Sequence, residues 1–191
     1  METVSMHPEV AVPQAKRYKE LVETKTSRVI KVSAERLWEI VGAGFADAHV
    51  WSSGLDHSEG SGEPRFEGAV CNERYCEVNV KGFNKISETL VEYDDFQRTL
   101  TYVAHSGLPG FVIHAQNTWR IISVSPNESR FEMRIVMRLK PLMGMLAGGA
   151  FRKNLNKTID GVIDDLSIYA ETGRISAAKQ ARLDYLARKK K

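Results

Sequence analysis

The feature that most constrains the fold is an alternation of apolar and polar residues between about residues 69 and 140. Five segments show it: 70–78, 85–90, 99–104, 113–121 and 131–139. A period of two is typical of strands, and the last two segments have the clean pattern of strands with one buried face. Because turn residues separate the segments at hairpin spacing, the pattern predicts five consecutive strands in an antiparallel meander.

A long amphipathic helix is predicted after Pro141. Apolar residues recur at steps of three and four from Phe151 to Ala170, and Gly173 is a typical residue after a helix end. The opposite face carries Lys153, Lys157, Asp160, Asp164 and Asp165. No other predicted element is long enough to cover the apolar face of the sheet. We therefore expect an α+β fold in which a curved antiparallel sheet wraps around the C-terminal helix and leaves an internal cavity.

The remaining elements divide the chain into three parts. We predict a short strand at 28–32, a helix that begins after Ser33, and a second short helix at 46–51. Residues 1–27 are predicted to be a partly flexible leader and residues 28–173 the folded domain. Residues 174–191 are predicted to be a basic tail that is helical or frayed.

The charge is unevenly distributed. The whole chain carries +3, but the tail holds seven basic residues and one acidic residue, so the rest of the chain is slightly acidic. A nucleic-acid-binding domain is expected to have a basic face, so we expect no nucleic-acid partner. The tail could contact an anionic membrane or form a solvated helix, and we favour the solvated helix.

Composition also bears on location and cofactors. No apolar run approaches a membrane span, the first 15 residues do not form a secretory signal, and two cysteines cannot make a disulfide framework. Cys71 and Cys76 are expected on opposite faces of one strand. A cytoplasmic protein is expected, either a monomer or a homodimer. His49 and His57 match no zinc spacing, and no phosphate loop or dinucleotide motif is present, so we expect no metal and no cofactor.

Several residue runs, taken in order, resemble the START-like helix-grip (SRPBCC) superfamily, in its polyketide cyclase/dehydrase and lipid-transport branch. Each run is short, but together they span residues 28–173. The runs are 29–38 with Trp38, then Trp51, Gly68, 86–90 followed by Asp94 or Asp95, 100–102, Leu108-Pro109, 117–120, and 169–173. The chain departs from the family pattern at one position. The pattern places an arginine three residues after the glycine that corresponds to Gly68, whereas this chain has Cys71 there and Arg74 three residues further on.

The resemblance implies a protein that binds a hydrophobic or aromatic small molecule, lipid-like or polyketide-like, between the sheet and the C-terminal helix. It also implies two alternatives. One is a cofactor-free cyclase or dehydratase. The other is a lipid carrier that contacts membranes through the glycine-rich segment 142–151 and the basic tail. Segment 142–151 is either a flexible gate over the cavity or a place of close helix packing.

Candidate site residues follow from the strand phases. Arg74 and Glu88 fall on the apolar side of neighbouring strands, so they form either a polar pair in the cavity or a structural ion pair. In the enzyme alternative, Glu88 acts as general acid or base. Aromatic walls with a few polar groups suit an apolar ligand that carries oxygens. The expected ligand-binding residues are Trp51, Arg74, Tyr102, Asn117, Trp119, Met133 and Met137, each of which could instead be core.

Overall fold

The computed structural model describes residues 18–80, 82–141 and 148–189. A π-helical segment over Glu39–Ala43 and a 3₁₀ helix over Phe45–Val50 follow the first α-helix. The elements are β1 (Lys19–Thr26), α1 (Ala34–Trp38), β2 (Leu55–Ser61), β3 (Glu73–Val78), β4 (Lys85–Asp94), β5 (Thr99–Ser106), β6 (Val112–Ser125), β7 (Glu128–Leu139), α2 (Gly148–Thr172) and α3 (Ala177–Lys189).

The strands form one antiparallel sheet in the order β1-β7-β6-β5-β4-β3-β2. Strands β3 to β7 are neighbours in both sequence and space, as the alternation predicts. Register places the apolar side chains of successive strands on one face, for example Leu90 opposite Tyr102 and Trp119 opposite Met133. With α2 lying against this face, the predicted fold class is confirmed.

The amino-terminal part differs from the prediction. Residues 19–26 form β1, which pairs with β7 along its whole length, whereas the predicted strand at 28–32 has only an isolated bridge at Ile30. The alternation of β1 is hidden because two half-buried positions, Glu23 and Lys25, carry charges that pair with α2 rather than apolar side chains. Residues 1–17 of the predicted leader lie outside the described residues.

Helix α2 packs its apolar stripe against the sheet. Ile159 and Leu166 are fully buried in the same cluster as Leu100 and Phe131. The helix ends at Thr172, and the following Gly173 has a φ of +67°, in the left-handed region that favours glycine. Asp165, expected on the outer face, is only 2% exposed, because other elements cover it.

The short helices bring a second set of side chains to the sheet. The Ser33 hydroxyl accepts the Arg36 N–H at 3.1 Å and starts α1, as its cap preference predicts. Leu37 and Val41 are fully buried. Phe45 of the 3₁₀ helix packs on Tyr102 and Trp119, and Trp51 also lies beside Trp119.

The two cysteines lie in different places from those predicted. Cys71 precedes β3 and does not share a strand with Cys76, because the strand begins only at Glu73; both thiols are free and buried.

Across residues 18–80, 82–141 and 148–189, no helix combines the length and apolarity that crossing a membrane would require.

Candidate functional site

A cavity of about 140 Å³ lies between the inner face of the sheet and α2. Trp119, Met133 and Ile135 line it from the sheet, and Ile159 and Val162 line it from α2. Its partly exposed lining residues indicate where it opens, between α2 and the adjoining ends of β2 and β3. These residues are Gly54, Leu55, Val78, Val80, Thr158 and Val162.

One buried ion pair lies at the cavity wall. Arg74 of β3 stands directly opposite Glu88 of β4, so both side chains lie on the inner face of the sheet. Nε and Nη2 of Arg74 donate to Oε2 of Glu88 at 2.8 and 2.6 Å. The two residues are 2% and 8% exposed. The structure shows the pair to be both an ion pair and part of the cavity lining.

Aromatic rings surround the Arg74 guanidinium. Its central carbon lies 4.0 Å from the ring centre of Phe45, 5.0 Å from that of Tyr102 and 5.4 Å from that of Trp119. Nη1 donates to the Phe45 carbonyl at 2.7 Å. Burial alone would lower the pKa of Arg74, but the Glu88 carboxylate outweighs it and the pKa is raised. Arg74 is therefore a permanent cation held by Glu88, Phe45 and the ring faces.

Two further ionisable groups near this pair keep their protons. Burial raises the pKa of the Tyr102 phenol, and the charge of Glu88 adds to the shift. Burial likewise raises the pKa of the Cys76 thiol to about 12, and its Sγ lies 3.6 Å from Oε2 of Glu88. Neither group is a nucleophile or base at neutral pH.

Three residues of the cavity lining each carry a buried polar atom without a hydrogen-bond partner in the described part of the chain. The atoms are Nε1 of Trp51, Nε1 of Trp119 and Oδ1 of Asn117. The other amide atom of Asn117 bonds the Tyr102 hydroxyl at 2.8 Å, so one amide atom is unpaired in either orientation. Buried polar atoms normally have partners, so these three are exceptions, and each is almost fully covered by its neighbours in the present arrangement of side chains.

The structure brings most of the candidate site residues together. Glu88, Trp51, Arg74, Tyr102, Asn117, Trp119 and Met133 all line the cavity. Met137 does not, because it lies further along β7, towards the strand end where β7 pairs with the start of β1, and it is buried there as core.

Other lining residues were not predicted. Ile159 and Val162 belong to the recognised helical stripe, so the helix phase could have indicated them. Ser52, Gly54 and Leu55 come from a loop-rich stretch whose path depends on tertiary contacts. No periodicity marks such residues.

The described residues contain no group of three or more His, Cys, Asp or Glu side chains that could hold a metal ion. The rings of His49 and His57 do lie close together, with ring centres 5.4 Å apart and ring planes tilted by 50°. The hydroxyl of Ser58 lies 3.0 Å from Nδ1 of His49, and burial lowers the pKa of this histidine.

Comparison with known proteins identifies the family. The sequence model for "polyketide cyclase / dehydrase and lipid transport" matches residues 22–171, and the chain belongs to that family. The match includes most of β1. No curated protein matches the sequence.

Solved structures share the helix-grip fold at low sequence identity. Norcoclaurine synthase from Thalictrum flavum is 11% identical with a TM-score of 0.61, over 92% of this chain and 100% of that one. The Zhui aromatase/cyclase from Streptomyces sp. R1128 is 12% identical with a TM-score of 0.58, over 84% and 100%. A START superfamily protein from Mycobacterium smegmatis is 16% identical with a TM-score of 0.54, over 76% and 98%.

Proposed function

We propose that this protein binds a small single-ring aromatic molecule with an oxygen substituent in the cavity between the sheet and α2. The observation that carries the proposal is the cavity itself, which is lined mainly by apolar side chains. Three of its lining residues also carry a buried polar atom without a hydrogen-bond partner in the described part of the chain.

The volume of the cavity supports a ligand with a single ring. Drug-sized ligands occupy pockets of roughly 300–1,000 Å³, whereas an apolar protein cavity of about 150 Å³ is known to bind benzene. The cavity here is about 140 Å³. A fused polyketide or a long acyl chain would require the walls to move apart. Size therefore also disfavours the lipid-carrier alternative, whose proposed membrane-contact segment is 142–151; residues 142–147 of it lie outside the described residues.

The unpartnered atoms support an oxygen substituent. The two indole N–H groups are donors, and the Asn117 oxygen is an acceptor. When these side chains rotate towards the cavity, a phenol hydroxyl can accept from an indole and donate to the amide, whereas a hydrocarbon can do neither. Leaving such atoms unpaired costs about 1–3 kcal/mol each, so a phenol is favoured over toluene.

One structural neighbour has been solved with ligands of this class. Norcoclaurine synthase from Thalictrum flavum has been solved with dopamine and hydroxybenzaldehyde, both of which are single-ring phenols. The comparison supports the view that a helix-grip fold accommodates such molecules.

The ionisable groups favour binding over catalysis. Tyr102 and Cys76 keep their protons, and Oε2 of Glu88 is already engaged by Arg74 and Cys76. A general acid or base must exchange its proton with the substrate during the reaction, which requires a group free to do so.

A second candidate function is a cofactor-free cyclase or dehydratase. The observation that favours it is that Glu88 and Asn117 line the same cavity as the aromatic walls. In this reaction Glu88 would be the acid or base, and Asn117 would orient a substrate oxygen. If Glu88→Gln leaves the turnover of a cyclisable substrate unchanged, this candidate is excluded.

Calorimetric titration with phenol and with toluene tests the first candidate. We expect phenol to bind with a dissociation constant of about 1 mM or lower, which corresponds to about −4 kcal/mol, and toluene to bind more weakly. Val162→Phe fills the cavity from α2 and should weaken phenol binding at least tenfold. Ile168→Phe makes a similar change on the exposed face of the same helix and should leave binding unchanged. If phenol does not bind, or binds Val162→Phe equally well, the proposal is wrong.

A further inference from the structure

The C-terminal helix α3 lies beyond the residues that the family model matches, yet it is packed against the cavity rim. We define the rim segment as Ser52–Asp56. Three of its residues, Ser52, Gly54 and Leu55, line the cavity, and Gly54 and Leu55 are partly exposed at the opening. Contacts that fix this segment therefore fix the width of the opening.

Two side chains that are each 2% exposed connect the rim segment to the helices. Asp165 of α2 accepts the Ser53 N–H at 2.7 Å with one carboxylate oxygen and the Ser176 hydroxyl with the other. Ser176 in turn accepts the Lys179 N–H at 3.1 Å and so caps the start of α3. Lys179 donates from Nζ to the Leu55 carbonyl at 2.8 Å.

A third contact closes the outer end of the rim segment. Arg182 lies one helical turn beyond Lys179 and binds both carboxylate oxygens of Asp56, at 2.8 and 2.6 Å. The capping residue Ser176 and the α3 residues Lys179 and Arg182 thus follow one another at steps of three residues, on the side of α3 that faces the rim segment. Most of the other residues of α3 are exposed, so the helix is held mainly by this narrow polar stripe.

We infer that α3 is a latch for the cavity, with Lys179 and Asp165 as the residues that position the rim segment. A polar stripe suits a latch that can open. When α3 separates from the rim segment, water replaces the hydrogen bonds of the polar stripe, and little apolar surface becomes exposed. A helix of 13 residues is marginal in isolation, so separation would also unfold α3. Opening therefore costs less than global unfolding, and the rim can open locally.

The contacts between α3 and the rim segment include two buried charged side chains, which packing alone would not require. Lys179 and Asp165 are buried charges whose direct contacts are hydrogen bonds to uncharged groups. Burial is the main reason that the pKa of Lys179 is lowered. A buried charge is costly for stability unless its hydrogen bonds are complete, so opening the rim and hydrating both groups recovers part of that cost.

Amide hydrogen exchange measured by NMR tests the latch without any ligand, so the result does not depend on whether phenol binds. The full chain is compared with Lys179→Met, which keeps the apolar stem but removes the Nζ donor. We expect the Ser53 and Gly54 amides to exchange about tenfold faster, as the loss of one hydrogen bond predicts. Amides in the β6–β7 ladder should be unchanged.

Arg188→Met is the matched control, because it removes a positive charge from an exposed position of α3. It should leave the exchange of the rim segment unchanged. The latch is refuted if Lys179→Met exchanges like the control, or if the rim and the β6–β7 ladder speed up equally, since that would be a general loss of stability. If Lys179→Met does not fold, Asp165→Asn provides the same comparison at the other positioning residue.

Discussion

Two arginine–carboxylate pairs flank the cavity, and they differ in how they are built. Arg74 and Glu88 are register partners on adjacent strands and lie in the core. Arg182 and Asp56 are 126 positions apart in the chain, and each side chain is about one fifth exposed. The first pair belongs to the sheet, whereas the second exists only when α3 is docked.

The two pairs differ in how readily they can separate within the folded protein. A buried pair that loses one partner leaves an uncompensated charge in the core, so it behaves as a permanent part of the structure. A partly exposed pair that separates is rehydrated, so it can form and break within the folded protein. The inner wall of the cavity is therefore fixed, and its rim is adjustable.

The largest effect is expected at the buried pair. Arg74→Met leaves Glu88 without a counter-ion and the Phe45 carbonyl without its donor, and should lower the free energy of unfolding by about 3–5 kcal/mol. Urea denaturation measures this change. The double variant Arg74→Met with Glu88→Leu removes both charges and should recover much of the loss. A double variant as unstable as the single one would contradict the role assigned to the unpaired carboxylate.

A smaller effect is expected at the rim pair. Arg182→Met should lower the free energy of unfolding by about 1 kcal/mol, because Asp56 becomes hydrated when its partner is removed. A double-mutant cycle with Asp56→Asn isolates the interaction between the two side chains. A loss as large as that of Arg74→Met would remove the distinction between fixed wall and adjustable rim.

The smallest effect is expected at a third pair, on the surface. Arg28 donates two hydrogen bonds to Glu171 and is the main reason that the pKa of Glu171 falls from about 4.5 to about 2. Because the folded state lowers this pKa, the pair stabilises the protein above about pH 4.5, and that stability is lost as the pH falls towards about 2.

Glu171→Gln should therefore flatten the dependence of stability on pH between about 4.5 and 2, with little change in shape above that range. Thermal unfolding across this pH series is the measurement. A variant whose curve keeps the wild-type slope in that range would show that the surface pair adds nothing measurable.

The sequence predicts the parts of the site that depend on local periodicity. Arg74, Glu88, Tyr102, Asn117 and Trp119 could be placed on one face because side chains alternate along strands and register partners share a face. The period of the helix indicates which face of α2 carries Ile159 and Val162, although they are not among the predicted site residues.

What could not be predicted depends on contacts distant in sequence. β1 was missed because Glu23 and Lys25 pair with α2 and break the apolar alternation. Asp165 was placed on the exposed face because the helix period cannot show that Ser53 and Ser176 cover it. The sequence of the tail predicts a solvated helix, since nothing local indicates that Lys179 reaches the Leu55 carbonyl.

The most direct test of the central claim locates a bound ring inside the cavity. Intermolecular nuclear Overhauser effects between phenol and methyl-labelled protein report distances below about 5 Å. The account predicts cross-peaks from the phenol ring to methyl groups of Ile135, Ile159 and Val162, and none to Ile168 on the outer face of α2. Cross-peaks only to exposed methyl groups, or none at phenol concentrations well above the expected dissociation constant, would contradict it.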